Sequence, residues 1–337
     1  MSRSINLLIS MLFILLISFF LIRLAPGDPV LLMLGDRGND PAQYKIMMEN
    51  LGLNSSIYEQ FKIYLMNVLS GNFGNSIVSG KSIVIELLPR WKASFELGVI
   101  VFIFSFFSGG ALGVYMAYKF NTRAEKILSS SLLIIYCIPI FWLGLILISV
   151  FSLQLNLFPV SGRVGYEFDL IPYTGFYLID SLIGDNYENY NFYAFFSCLN
   201  HMILPILTMS IVPMVSIAKI TKVSILDVLK KDYILTAKSL GMNDVNIFFK
   251  HVLRNILVPV LTISSLYLIN VTVAGAILTE TIFSWPGIGR FLVTSVLSRD
   301  YPVIQIVILF IGVFILIVNI ILEILVKIID PKQRVKV

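Results

Sequence analysis

Residues 303–328 read VIQIVILFIGVFILIVNIILEILVKI, and this stretch decides the class of fold. An apolar run of about 20 residues is long enough for a helix that crosses the hydrocarbon core of a bilayer. Hydropathy predicts five further spans upstream, at about 5–24, 95–118, 127–152, 202–220 and 256–279. The sequence therefore predicts an all-α, polytopic membrane helix bundle with six transmembrane helices.

The composition excludes a soluble globular protein. Of the 337 residues, 57% are hydrophobic and 13% are charged, with a mean hydropathy of +0.88, whereas soluble domains carry about 25% charged residues. The net charge of +5 is too small and too dispersed to indicate nucleic-acid binding. Cys137 and Cys198 lie in or beside apolar stretches and have no CxxC spacing, which favours packing roles over a disulfide or a metal site.

The distribution of basic residues orients the spans. Lysine and arginine collect on the cytoplasmic side of membrane proteins, and they are dense in the loop 119–126 and the tail 327–337. Both termini are therefore predicted to be cytoplasmic, and the segment 25–94 extracytoplasmic. We divide the chain into residues 1–94, a first transmembrane helix with a long outer segment, and residues 95–337, a five-helix core.

The first span has an alternative interpretation as a signal peptide, because Arg3 precedes its apolar run. No Ala-x-Ala cleavage site follows, and the run is longer than the apolar region of most signal peptides. These features favour an uncleaved helix.

Small residues and prolines predict how the helices pack. Ser105, Gly109 and Gly113 repeat every four residues in the second span, a stripe that lets two helices approach closely. Pro205 and Pro213 in the fourth span each remove a backbone donor and can kink that helix.

Two short patterns suggest enzymatic chemistry, and neither is complete. Residues 74–82 read GNSIVSGKS, but Gly74 is one residue too far from the Gly-Lys-Ser end to form a P-loop. Ser216 and Lys219 form a Ser-x-x-Lys pair, which leaves a membrane serine/lysine hydrolase as an alternative of another class. That lysine lies at the basic inner end of the fourth span, where it can snorkel to the interface. We therefore predict no catalytic residue, no metal site and no ATP site in this chain.

A polar, basic loop at 219–255 separates the fourth and fifth spans. Asp232 suits the start of a short helix, and Gly241 is a natural break between two short helices. Ala237 and Gly241 are small and one helical turn apart, so another protein can approach closely there. The loop predicts a docking surface for a cytoplasmic partner; a solvated amphipathic loop is the alternative.

Four residues are candidates for a translocation path or an outer gate. Pro139 and Phe141 lie in the third span, where the proline can kink the helix. Glu280 lies at the outer end of the fifth span and is followed by an aromatic, turn-forming segment that contains Trp285. A charge in lipid is costly and is often functional, although a simple interfacial position for Glu280 is the alternative.

The loop resembles the EAA loop of ABC importer permeases, whose pattern is Glu-Ala-Ala-x-x-x-Gly. The matching positions are Leu235, Thr236, Ala237 and Gly241, so the leading Glu and the first Ala are absent. The likeness to the peptide/nickel (dipeptide/oligopeptide) branch is closer, in DYILTAKSLG at 232–241 and HVLRNILVP at 251–259. Further motifs resemble that branch in the same order: APGDP at 25–29, FELG at 95–98, PIFWLG at 139–144, PVSGR at 159–163, TGFYLIDS at 174–181, ETIFSWPGIGR at 280–290 and RDYP at 299–302.

This resemblance implies the type I ABC importer permease fold and the function of a permease subunit, similar to the dipeptide permease subunits that pair with a second homologous permease. It implies inward movement of dipeptides or short peptides by alternating access in the bacterial cytoplasmic (inner) membrane; import of nickel or a metal chelate is the alternative within the branch. The implied partners are the second permease subunit, two cytosolic ABC ATPase subunits that hold ATP and Mg²⁺, and an extracytoplasmic substrate-binding protein. The residues carried over as the ATPase-coupling set are Tyr233, Thr236, Ala237, Gly241, His251, Arg254 and Asn255.

Overall fold

The computed structural model describes residues 3–23, 30–31, 40–50, 55–183, 190–270 and 276–329. Within these ranges the regular secondary structure is helical apart from an isolated β-bridge between Asn75 and Ser82. The all-α prediction is confirmed. The helices are α1 Arg3–Arg23, α2 Pro41–Asn50, α3 Ile57–Leu69, α4 Ile83–Tyr118, α5 Arg123–Tyr136, α6 Ile140–Leu147, α7 Tyr177–Ile183, α8 Tyr190–Leu229, α9 Asp232–Ser239, α10 Asp244–Ile247, α11 Leu253–Asn270, α12 Ala276–Ile282, α13 Ile288–Leu297 and α14 Tyr301–Ile329, with π-helical turns at Ile148–Gln154 and Phe248–Val252.

Within the described ranges, four stretches of helix are long and apolar enough to cross a membrane: Ile83–Tyr118, Phe192–Leu229, Asp244–Tyr267 and Tyr301–Ile321. The pair α5 and α6, with the π-helical turn after α6, forms a fifth candidate. Helix α1 occupies the predicted first span, and its described apolar stretch, Ile9–Phe20, is shorter. The chain is thus a multi-pass membrane protein, while the count of six spans and the cytoplasmic termini stay predictions.

Two helices extend well beyond the spans that hydropathy predicts for them. Helix α4 has 36 residues and α8 has 40, which correspond to about 54 and 60 Å at 1.5 Å per residue. The hydrocarbon core is only about 30 Å thick. Hydropathy marks the part of a helix that suits lipid, so it does not detect the polar turns at which these helices continue into water.

The predicted proline effect is confirmed in the third span, and the kinks predicted in the fourth span stay predictions. Helices α5 and α6 meet at a bend of 99°, and Pro139 stands immediately before α6 with an extended ψ of 131°. A proline disfavours helical geometry in the residue before it, which explains why the helix breaks there. Pro205 and Pro213, in contrast, lie inside the unbroken helix α8.

The chain forms two compact units, residues 1–91 with 290–319 and residues 92–289 with 320–337. In the first unit, α1 packs on α3. The Phe19 ring lies edge-on at 5.1 Å from Phe61, and the Arg23 guanidinium donates two hydrogen bonds, of 2.6 and 2.8 Å, to the Gln60 side-chain oxygen. The predicted division into residues 1–94 and 95–337 stays a prediction.

The second unit is organised by close contact between α4 and α8. A Cβ atom on Gly109 would lie 2.6 Å from the Met214 carbonyl oxygen, and one on Gly113 would lie 2.6 Å from the Ala218 carbonyl oxygen. The Ser105 hydroxyl lies 3.4 Å from another backbone carbonyl of α8. The close helix approach predicted from this stripe is confirmed, and the absence of side chains at two of its positions is what permits it.

Candidate functional site

Residues 231–255, which we call the EAA-like segment, form two short helices that meet at a glycine. Helix α9 ends beside Gly241, whose φ of +79° is a left-handed conformation that favours glycine. The Asn243 side chain then accepts a hydrogen bond of 2.8 Å from the Asn246 N–H and caps the start of α10. The predicted break at Gly241 is confirmed, whereas residues 219–229 of the predicted loop continue α8 as helix.

The buried face of the EAA-like segment contains one of the predicted docking residues. Ile234 and Ala237 are 0% and 5% exposed and belong to a hydrophobic cluster that includes Ile225 and Val228 of α8. The small side chain of Ala237 is therefore used for packing inside this chain. Gly241 is open instead, since among the described residues no atom lies within 4 Å of a Cβ built on it.

Three of the other candidate residues lie together. The ring of Tyr233 is 6.2 Å from the ring of His251, measured between centroids. The Asn255 side-chain amide donates a 2.6 Å hydrogen bond to the His251 carbonyl oxygen. Thr236 and Arg254 are exposed, and the Thr236 hydroxyl donates to a backbone carbonyl one turn earlier in α9.

Four large apolar side chains, two before and two after Gly241 in the sequence, are exposed, and we call them the outer face of the EAA-like segment. They are between 57% and 78% exposed: Leu235, Leu240, Val245 and Phe249. Sequence reasoning missed these residues. The signal available was their large apolar side chains in a segment that is otherwise polar and basic.

A second region gathers buried polar side chains, and we call it the polar cluster: Ser94, Glu96, Arg163, Glu280 and Trp285. Glu280 is 0% exposed, and the Ser94 hydroxyl donates a 2.5 Å hydrogen bond to its carboxylate. Ser94 also accepts a 2.8 Å bond from the Ile288 N–H. The Trp285 indole donates to the Ala93 carbonyl oxygen at 3.0 Å. Glu280 and Trp285 thus lie together and buried, so the Glu280 side chain contacts protein atoms, and its place in an outer gate stays a prediction.

Two glycines make room for the Glu280 carboxylate. A Cβ atom on Gly287 would overlap this carboxylate, and one on Gly289 would lie 3.0 Å from it and 2.6 Å from the backbone of Ile277. The Gly-Ile-Gly sequence after Pro286 is therefore required because the turn folds directly over a buried acid.

The remainder of the polar cluster is an ion pair that sequence reasoning missed. Arg163 Nη2 lies 2.5 Å from Glu96 Oε2, and both side chains are nearly excluded from solvent. Glu96 Oε1 also accepts a 2.8 Å hydrogen bond from the Leu178 N–H, and the guanidinium stacks on the Tyr177 ring at 3.8 Å. This pair ties the segment after the π-helical turn at Ile148–Gln154 to the side of α4. The available signal was an acid at the start of an apolar span, since a buried charge requires a partner.

The other two gate candidates lie elsewhere in the second unit. Pro139 and Phe141 flank the bend between α5 and α6, and Phe141 is 47% exposed. They are therefore candidates for contact with lipid, substrate or another subunit rather than members of the polar cluster.

Ser216 and Lys219 do not form a nucleophile–base pair. The Ser216 oxygen accepts a 2.7 Å hydrogen bond from the Tyr267 hydroxyl, and the Lys219 ammonium lies 5.4 Å from the centre of the Tyr136 ring. A serine–lysine hydrolase requires the lysine to act on the serine proton. Within the described residues, no group of three or more His, Cys, Asp or Glu side chains is arranged to hold a metal ion.

Comparisons with known proteins match the whole length of the chain. The family model described as binding-protein-dependent transport system inner membrane component matches residues 109–335, and the model for the N-terminal part of such components matches residues 1–82. The chain is 39% identical to the di/tripeptide transport system permease protein DppB of Pseudomonas aeruginosa, over 99% of this chain and 98% of that protein. It is 38% identical to the dipeptide transport system permease protein DppB of Escherichia coli K12, over 95% and 94% of the two chains.

A solved structure has the same fold at low sequence identity. The inward-facing MetNI methionine ABC transporter matches with a TM-score of 0.55 and 12% identity, over 72% of this chain and 96% of that chain. This match confirms the predicted permease fold, and the names of the relatives confirm a transport permease subunit rather than an enzyme. The protein belongs to the family of binding-protein-dependent transport system inner membrane components, the permease subunits of ABC importers.

Proposed function

We propose that this chain forms one half of the translocation path of an ATP-driven importer that moves dipeptides or short peptides into a bacterial cell across its inner membrane. A second, homologous permease subunit forms the other half. Two cytosolic ABC ATPase subunits hold ATP and Mg²⁺, and an extracytoplasmic binding protein delivers the peptide. The peptide assignment is supported by the names of the relatives, which are dipeptide and di/tripeptide permeases.

The observation that carries the proposal is the outer face of the EAA-like segment. Leu235, Leu240, Val245 and Phe249 expose apolar surface in a segment that is otherwise polar and basic. Exposed apolar side chains that recur within one polar segment are typical of a protein-interaction surface. The ATPase subunit is the partner that an importer permease of this family needs on that side.

The inner face of the same segment supplies the mechanical connection. Ile234 and Ala237 pack with Ala117 at the end of α4 and with Ile225 of α8. Packed cores change between discrete arrangements rather than deforming continuously. When ATP binding closes the ATPase dimer, the segment moves as part of this core, and the long helices α4 and α8 transmit the movement to the membrane.

The candidate coupling residues then divide into two roles. Tyr233, Thr236 and Gly241 contact the ATPase directly, and Ala237 supports them from inside. His251 holds the Tyr233 ring, while Arg254 and Asn255 continue the surface at the start of α11.

At the other functional region, Glu280 and Trp285 fix the turn 283–289 against α4 and so hold the outer gate. Pro139 and Phe141 line the path at the bend between α5 and α6. In this role the polar cluster is a fixed support for the gate, because its hydrogen bonds are made within the second unit.

Uptake by a reconstituted assembly tests the function. The chain is co-purified with its second permease and ATPase subunits, placed in proteoliposomes and supplied with the loaded binding protein. We expect uptake of labelled dialanine that requires ATP and Mg²⁺ and stops when a catalytic residue of the ATPase is replaced. Uptake that persists without ATP would exclude an ABC importer, and ATP-driven uptake of a nickel chelate without peptide uptake would exclude the peptide substrate.

A further inference from the structure

We propose that a cavity between α8 and α11 binds the carboxylate end of the peptide in transit, with Lys219 and Ser216 as the binding groups. This inference rests on the proposed function, because it names the chemical group of the substrate that the permease itself recognises. It also gives a role to the Ser-x-x-Lys pair, which the coupling and gate regions do not use.

The cavity has the size and lining of a site for a small organic molecule. Its volume is about 490 Å³, within the range of about 300–1,000 Å³ that is usual for ligand pockets. Aliphatic side chains such as Ile220 and Leu266 form most of its walls, and Ser216, Lys219 and Tyr267 supply the polar groups. A few polar groups in an apolar pocket fix the orientation of a ligand while the walls accept varied side chains.

The two donors are arranged for one anionic group. Ser216 and Lys219 are three residues apart on α8, so both point from the same face of the helix into the cavity. The Ser216 oxygen already accepts a hydrogen bond from the Tyr267 hydroxyl at 2.7 Å, which leaves the serine proton free to be donated. A hydroxyl and an ammonium group that line one cavity can each donate to an oxygen of a carboxylate.

A comparison with the next lysine shows that, among the described residues, Lys219 has no counter-ion. The Lys222 ammonium pairs with the Glu125 carboxylate at 2.6 Å. For Lys219, the described residues provide the face of the Tyr136 ring, 5.4 Å away, and no carboxylate within ion-pair distance. Lys219 is exposed at the open side of this cavity, so its ammonium is accessible to an anion that binds from outside the chain, and charges within membrane proteins often mark substrate paths.

The terminal carboxylate of a peptide fits this site better than the phosphate of a lipid. Every dipeptide carries one terminal carboxylate whatever its side chains. A site that binds this group therefore accepts dipeptides with different side chains, which lie between the apolar walls. Ser216, Lys219 and Tyr267 all line this cavity, and the Tyr267 hydroxyl donates to the Ser216 oxygen there. A phospholipid headgroup is the other source of an anion, and it is distinguished by experiment.

The test measures ATP-driven uptake of dialanine and of dialanine amide, which lacks only the carboxylate charge, by the full assembly in proteoliposomes. Both peptides are supplied at concentrations that saturate the binding protein. Because the same binding protein serves every variant, a change in the ratio of dialanine uptake to dialanine amide uptake is a property of the permease.

Lys219→Gln should lower dialanine uptake about tenfold and leave dialanine amide uptake unchanged. Lys219→Arg should retain most of the uptake, and Ser216→Ala should lower it by a smaller factor.

Lys126→Gln is the matched control, since Lys126 is an exposed lysine on the neighbouring helix α5, and it should behave as wild type. Equal loss for acid and amide in Lys219→Gln, or an unchanged ratio, would overturn the inference while the wild type still imports dialanine and the proposed function stands. Loss of bound phosphatidylglycerol from Lys219→Gln in native mass spectrometry, with dialanine uptake unchanged, would assign the site to lipid and also overturn it. Absence of dialanine uptake by the wild type would overturn both proposals.

Discussion

The polar cluster and the EAA-like segment reverse the usual distribution of polar and apolar groups. In the polar cluster, Glu280 and Trp285 are fully buried and hydrogen-bonded within the chain. In the EAA-like segment, Leu240 is 78% exposed although it lies among lysines and polar residues. Buried polar groups with satisfied hydrogen bonds fix one arrangement of the backbone, whereas exposed apolar groups gain free energy only when a partner covers them.

The difference separates two kinds of functional residue. Residues of the polar cluster act on the shape of this chain, so their replacement should lower its stability. Residues on the outer face of the EAA-like segment act on a partner, so their replacement should lower docking and transport at unchanged stability.

The largest effect is expected for Glu96→Ala. The variant leaves the Arg163 guanidinium buried without its counter-ion, and removal of one partner of a buried pair costs about 3–5 kcal/mol. Thermal unfolding of the purified assembly in detergent measures the loss. The double variant Glu96→Gln with Arg163→Met should recover much of the stability, since it removes both charges. A stability of Glu96→Ala equal to wild type would contradict the importance of the pair.

The next effect distinguishes the two faces of α9. Ile234→Ala removes a fully buried side chain and should lower the free energy of unfolding by about 2–5 kcal/mol. Leu235→Ala, one residue later and 57% exposed, should change it by less than about 0.5 kcal/mol and still lower uptake severalfold. Similar effects of both variants on stability would show that α9 does not have one inner and one outer face.

Among the buried positions, the smallest loss of stability is expected for Ser94→Ala. The change removes the hydroxyl that donates to Glu280 and accepts from Ile288, and an unsatisfied buried group costs about 1–3 kcal/mol. Glu280→Gln retains an acceptor for the serine and should cost less, which the same unfolding measurement checks. If Glu280→Gln unfolds at the wild-type temperature but abolishes uptake, the carboxylate charge itself acts in the gate.

Much of the fold was predictable because a bilayer restricts which backbone conformations can cross it. Apolar runs identify helices such as the one at 303–328, and the spacing of Ser105, Gly109 and Gly113 indicates where one helix touches another. Gly241 was predictable as a break because few other residues adopt a positive φ readily. In each case residues close together in the sequence are sufficient to indicate the structure, because the physical requirement is local.

Two kinds of feature could not be predicted: contacts between residues that are far apart in the sequence, and the orientation of helices too short to show a period. Glu96 and Arg163 are 67 positions apart in the sequence, and nothing local indicates that they pair. Helix α9 has eight residues, too few for its period to show that Ala237 faces inward and Leu235 outward. Residues 219–229 continue as helix because Ile225 and Val228 are buried in the hydrophobic cluster. Hydropathy did not predict this, since the neighbouring basic residues lower the mean hydropathy of the segment.

We propose that the ATPase docks at the open glycine of the EAA-like segment, Gly241. Gly241 and Gly80 provide a matched pair, because both have a positive φ, of +79° and +70°, and for both no described atom lies within 4 Å of an added Cβ. An arginine at either position carries a similar conformational cost of about 1–2 kcal/mol. The measurement is retention of the ATPase subunits by affinity-purified permease carrying Gly241→Arg or Gly80→Arg. We predict that Gly241→Arg loses the ATPase subunits while Gly80→Arg retains them; full retention and normal uptake with Gly241→Arg would contradict the account.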